Sequence, residues 1–104
     1  MAENKVYLLV SVTTERGKTD EFAQWWRRES LPYWEKQGAK HIGSFAFTIG
    51  GPNNEILRLF EFESLAHVEK FHNWMRYTQE GKDLSKKIAP YLTGGGGWRV
   101  LRAV

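Results

Sequence analysis

The chain has 104 residues, 41% of them hydrophobic and 26% charged, which places it among single globular domains and outside the disordered and membrane-spanning classes. It contains no cysteine, which excludes disulfide frameworks, thiolate metal sites and cysteine nucleophiles. The net charge of +3 is scattered, with Arg27-Arg28 and Lys86-Lys87 as isolated pairs rather than a dense run, so no nucleic-acid partner is expected.

The opening MAENKVYLLV has no basic segment ahead of a long apolar run and small-residue cleavage site, and no stretch nears the ~20 apolar residues of a membrane span. The expected location is therefore cytoplasmic, with no membrane partner. Lys5 to Thr13 is apolar and β-branched on both faces, as a central strand is. From Thr19 the period changes, because Phe22, Trp26 and Tyr33 fall within a narrow arc at ~100° per residue. That pattern predicts an amphipathic helix preceded by Gly17 and ended by Gly38. Pro32 removes a donor and clashes with the previous turn, so a kink or restart is expected near Ser30.

His41 to Ile49 alternates Phe45, Phe47 and Ile49 against Ser44 and Thr48, and the turn residues GGPNN lead into EILRLFEFES, Glu55 to Ser64, making a β-hairpin. Ser64 can cap a second helix carrying Leu65, Val68, Phe71 and Met75 at helical spacing. A weaker helical piece is expected from Lys82 to Ala89, before Pro90. The run TGGGG lacks a following Gly-Lys-Ser/Thr and precedes a strand, Trp98 to Ala103, so it reads as a flexible connector rather than a phosphate loop.

The order β-α-β-β-α-β predicts one α+β domain over 1–104, a ferredoxin-like four-stranded antiparallel sheet with its helices on one side. The Glu55–Ser64 strand is apolar on both faces: Ile56, Phe60 and Phe62 share one with Arg58, and Leu57 and Leu59 share the other with Glu61. Helices cover only one face, so a second copy of the sheet is expected to cover the other, giving a homodimeric α+β barrel. Which face takes Arg58 and which Glu61 stays open.

Three segments carry a family resemblance: GKTDEFAQWW, LPYWEKQGAKHIGSF and GGPNNEILRLFEFESL, in this order and at this spacing. Together they resemble the NIPSNAP family within the dimeric α+β barrel superfamily, over about Val6 to Leu101. Most specific are Gly51-Pro52-Asn53-Asn54-Glu55 and the Phe60 to Leu65 run. The resemblance implies a ferredoxin-like homodimer; it implies no reaction, because the family carries no settled catalytic motif.

Among candidate site residues, helical counting puts Glu29 between Phe22, Trp26 and Tyr33, on the face meant for the sheet, where an unpaired carboxylate is costly. His72 takes the same inward position on the second helix, beside Val68 and Met75. A carboxylate and an imidazole facing one cavity are the minimum for proton abstraction beside a carbonyl, so Glu29 and His72 are the candidate catalytic pair. Competing readings are a Glu29 that leans to the rim or pairs with arginine, and a His72 that is simply a hydrogen-bonded core residue. Trp26, Tyr33 and Phe22, with Glu61 and Arg58, are the candidate ligand-binding residues; for Glu61 and Arg58 the plainer reading is interface salt bridges. Trp25 and Trp34 diverge from the central stripe toward a cleft mouth or another subunit. No His, Asp and Glu set has metal-ligand spacing, so neither a metal nor a cofactor is expected.

The functional expectation is a small organic ligand held between helices and sheet, bound or transformed as in the cofactor-free monooxygenases and isomerases of the superfamily. The alternative is a non-catalytic structural or interaction module. An open, polar-lined cavity favours the first; a space filled by tryptophan favours the second.

Overall fold

The alternation in Glu55–Phe62 organises the sheet, because that strand lies inside it rather than at an edge. A computed structural model describes residues 5–104. Its strands are β1 (Val6–Thr14), β2 (Lys40–Ala46), β3 (Glu55–Phe62) and β4 (Leu92–Leu101), ordered β2-β3-β1-β4 with every neighbouring pair antiparallel. Helices α1 (Thr19–Glu29), α2 (Leu31–Lys36), α3 (Leu65–Tyr77) and α4 (Gln79–Ile88) follow in the expected order, and a 3-10 turn (Ala89–Tyr91) leads into β4. This is the predicted ferredoxin-like α+β arrangement.

One sheet face is covered by the helices. Leu8, Val10 and Val12 of β1 and Ile56, Phe60 and Phe62 of β3 are buried there against Phe22, Trp26, Val68 and Phe71. Each such side chain contributes roughly 1.5–3 kcal/mol on leaving water. Arg58 is on this covered face, which decides the point the sequence left open. The residues between them, Tyr7, Leu9, Leu57, Leu59 and Glu61, are only half-buried on the other face, with Phe45 of β2, the cross-strand partner of Leu57, 55% exposed.

Local chemistry sets the element ends. Ser64 caps α3, its hydroxyl accepting from the His67 amide at 3.3 Å, and Thr78 caps α4 by accepting from the Gly81 amide at 3.1 Å. That second cap starts α4 at Gln79, three residues ahead of the expected Lys82. The hairpin strand β2 ends at Ala46 rather than Ile49, since Ala46 already faces Ile56 near the start of β3 and Gly50, at φ 93°, turns the chain. Proline does what was expected near Ser30: α1 stops at Glu29 and α2 restarts at Leu31, with Pro32 in its first turn.

The glycine run departs from expectation. Gly94–Gly97 is not a flexible connector but part of β4, paired with β1 through Val12↔Gly95 and Thr13↔Gly94 with bulges on either side. At Gly96 the strands come so close that a Cβ would overlap the Ser11 carbonyl and hydroxyl oxygens, whereas at Gly97 it would meet nothing within 4 Å. Gly96→Ala should therefore cost about 1–3 kcal/mol by overpacking, and Gly97→Ala within about 0.5 kcal/mol of wild type, as read by urea denaturation of the two variants. Equal stabilities would show that β4 does not approach β1 as described.

Candidate functional site

The register places Ser44, Arg58, Val10 and Trp98 in one row across the covered face. Arg58 sits in the middle of the core, 2% exposed, with its guanidinium carbon 4.6 Å from the Trp26 ring and 5.3 Å from the Trp34 ring. Two aromatic faces partly replace lost hydration by cation–π attraction. They supply no acceptor, and Nε and Nη1 are buried without a hydrogen-bond partner. Burial pushes the guanidinium down to about 9, which still leaves it a cation at neutral pH.

No carboxylate compensates that charge among the described residues. The ion pairs among the described residues are Lys5–Glu61 at 3.2 Å and Lys40–Glu61 at 4.0 Å on the helix-free face, and Arg28–Glu29 at 2.9 Å on the surface.

Beside Arg58 a cavity of about 410 Å³ opens between the sheet and α3 and α4. Its floor is Val10, Val12, Gly95 and Gly96, its roof Met75, Arg76, Ser85 and Ile88, and Trp34, His72 and Trp98 stand in its walls. The space follows from the glycine run. In the row Ile56, Val12, Gly95 the β4 position has no side chain, and a Cβ there would meet nothing within 4 Å. The His72 ring stands edge-on to Trp98, centroids 5.2 Å apart, and the same pair lines a smaller cavity of about 260 Å³ on its other side. Apolar walls around a few polar groups, at this size, are the usual form of a small-molecule site.

The sequence-predicted residues divide. His72 and Arg58 line the cavity together. Glu29 does not: it is exposed at the last position of α1 and accepts from Arg28 Nε, so the expected Glu29–His72 pair is not formed. Glu29 shares the phase of Phe22 and Trp26, but α1 ends there and the carboxylate leans to the rim beside Arg28, the competing reading of this residue. The restart after Ser30 exchanges Tyr33 and Trp34: Tyr33 is 38% exposed, and Trp34 is buried to 4% as a cavity wall. Phe22 packs in the core against Trp25 and Tyr91 away from the cavity, Trp26 reaches the site only through Arg58, and Glu61 is on the opposite face. Trp34, expected at a cleft mouth or another subunit, and Met75, expected inward on the second helix, both line the cavity, whereas Trp98, Arg76 and Gly95 went unrecognised. The alternation of β4 about Trp98 was the available signal, and it needed the register with Val10 to be read.

His41 is half-buried against the Trp26 and Phe60 rings, centroids 5.5 and 5.4 Å away, with Nε2 2.9 Å from the Ser44 hydroxyl across the β2 bulge. Burial first, then the positive charge of Arg27, holds it below the usual histidine range. Among the described residues no cluster of three His, Asp or Glu is placed to hold a metal ion, and no helix is long and apolar enough to cross a membrane.

The NIPSNAP family model matches residues 7–101. The chain belongs to the NIPSNAP family. Similar solved structures carry the same fold: an uncharacterized NIPSNAP-like domain protein from Burkholderia xenovorans has a TM-score of 0.81 at 21% identity, covering 98% of this chain and 87% of that one. A NIPSNAP family protein of unknown function from Agrobacterium tumefaciens has a TM-score of 0.81 at 15% identity, covering 100% and 92%. A putative antibiotic biosynthesis monooxygenase from Bordetella bronchiseptica reaches 0.75 at 9% identity, covering 97% and 98%, a likeness of fold alone. No curated protein matches at a significant level.

The placements carry two expected outcomes. Glu29→Gln should change stability by less than about 0.5 kcal/mol in urea denaturation, since it removes only an exposed ion pair. A larger loss would mean Glu29 has a buried role. For His41 the folded protein favours the neutral ring, so the unfolded chain binds more protons as pH falls below about 6.5, and stability falls with it. His41→Asn should flatten the stability–pH profile between about pH 6.5 and 5, and an unchanged slope would remove His41 as its source.

Proposed function

We propose that this NIPSNAP protein binds a small organic molecule in the cavity between the sheet and α3 and α4, and acts on it without a cofactor of its own. The observation that carries this reading is the open space beside Arg58, walled by Trp34 and Trp98 and floored by Gly95, where a larger side chain would project into it. A larger side chain at this position would add packing and cost nothing in backbone strain, since Gly95 is not among the positive-φ glycines.

The polar groups support the chemistry of isomerases and of cofactor-free monooxygenases, whose common step is removal of a proton beside a carbonyl. His72 is the group at the cavity wall suited to take the proton, and Arg58 supplies a fixed positive charge for the enolate oxygen that results. In a monooxygenation the substrate itself would have to furnish the reducing electrons, leaving the protein to supply a dry pocket and a base. The resemblance in fold to putative antibiotic biosynthesis monooxygenases is consistent with this reading.

The working unit in this proposal is a homodimer joined through the helix-free sheet face. Tyr7, Leu9, Leu57 and Leu59 form a half-exposed apolar surface there, flanked by Phe45 and by Leu101, 40% exposed. A stable association of this kind buries about 1,200–2,000 Å² or more in total.

Gly95→Val tests the cavity. Titration of tryptophan fluorescence with a panel of small aromatic compounds should give saturable binding to the wild type, and at least tenfold weaker binding to Gly95→Val with its thermal midpoint retained. Unchanged binding to the variant would move the ligand elsewhere, and a panel that nowhere binds would favour the non-catalytic module. Mass measurement in dilute solution should return twice the chain mass for both proteins; monomer alone would remove the dimer.

A further inference from the structure

Arg58 is the charged group for which the fold offers no explanation. A buried ion without a partner costs several kcal/mol even after relaxation, and arginine stays charged rather than giving up its proton at neutral pH. The position is one of alternating apolar residues, Ile56, Phe60 and Phe62, where methionine or leucine would pack without that penalty. Trp26 and Trp34 lie against the guanidinium, yet two of its nitrogens remain without acceptors. The aromatic contacts hold the donor fork in the core; they do not satisfy it.

The surroundings are of one sign. Arg58 and Arg76 both line the cavity, and among the lining residues there is neither Asp nor Glu. Glu61, the nearest acid along β3 on the C-terminal side, faces away to Lys5 and Lys40. Positive charge is therefore present at the floor by Arg58 and again at exposed Arg76, with apolar wall between. In a low-dielectric space this arrangement repels cations, is indifferent to neutral molecules and attracts anions strongly.

We infer that the ligand of this cavity is an organic carboxylate on an aromatic or branched apolar body, its carboxylate paired with the Arg58 guanidinium and its body packed between Trp34, Trp98, Met75 and Ile88. This rests on the reading of the cavity as a small-molecule site and adds the chemical class. A carboxylate is the planar acceptor that matches two guanidinium N–H groups at once, and it supplies the acceptors that the two aromatic rings lack. The cavity volume of about 410 Å³ lies low in the range of small-molecule sites and suits a one- or two-ring acid rather than a polycyclic one.

The test uses matched pairs that differ only in charge: benzoate and benzamide, 2-naphthoate and 2-naphthamide, indole-3-acetate and indole-3-acetamide, titrated calorimetrically into the wild type, Arg58→Met, Arg58→Lys and Arg76→Met. On the wild type, at least one carboxylate should bind tenfold or more tighter than its amide, while acetate and inorganic phosphate, charged but without an apolar body, bind at least tenfold weaker than that carboxylate. Arg58→Met should lose about 30-fold or more in carboxylate affinity, the cost of leaving a buried charge unpaired, with amide affinity within threefold of wild type. Arg58→Lys, which keeps the charge but not the fork, should fall between. Carboxylates and amides that bind alike, a preference that survives Arg58→Met, or one removed instead by Arg76→Met would each overturn the inference while leaving the cavity reading intact. Failure of every compound to bind would overturn both.

Discussion

One cation held against two tryptophans governs how this domain is put together. Arg58 stands at the centre of the covered sheet face, and the elements around it are arranged to hold it. Trp26 comes from α1 and Trp34 from α2, so both aromatic faces can reach it only because the helix breaks at Ser30 and resumes with a different phase. In an unbroken helix Trp34 would point well away from Trp26, as helical counting indicates. The break is thus a device of the site as well as a consequence of Pro32. Trp34 then carries the core onward, packing on Phe60 and Phe71 with centroids 4.9 and 5.0 Å apart.

The second constraint is the glycine run in β4. Four successive glycines weaken a strand by the entropy they lose and the side chains they do not offer. Here Gly96 permits the close approach to Ser11 and Gly95 leaves the floor of the cavity open. The pairing with β1 keeps the segment in the sheet, and Trp98 at its end closes the wall against His72. Space beside a buried, unsatisfied cation is a combination that stability alone would not select.

Much of this was legible in the sequence. Period-two alternation in Glu55–Phe62 fixed which residues share a face, and helical spacing put Val68 and Phe71 inward with His72 beside them. Alternation assigns sides without saying which side the helices cover, so the opposite fates of Arg58 and Glu61 had to come from the three-dimensional arrangement. Helical counting carried Tyr33 inward because it ran one phase through Ser30; Pro32 announced a break but not the rotation that followed it. Glu29 precedes the break, and at the end of α1 its carboxylate reaches the rim and pairs with Arg28. The glycines were misread for a related reason. Local composition favours a loop, and what keeps them extended is β1, some eighty residues earlier in the chain and invisible to any local window.

If Arg58, buried and charged with Nε and Nη1 unpartnered, is retained for a ligand, its presence lowers the stability of the protein on its own. Equilibrium urea denaturation of wild type and Arg58→Met without ligand tests it most directly. The variant exchanges an uncompensated ion for an apolar side chain of similar length, so the account predicts a higher unfolding free energy, by about 1–4 kcal/mol. A loss of stability in the variant would contradict it, because that is the result expected when a buried charge already has its partner.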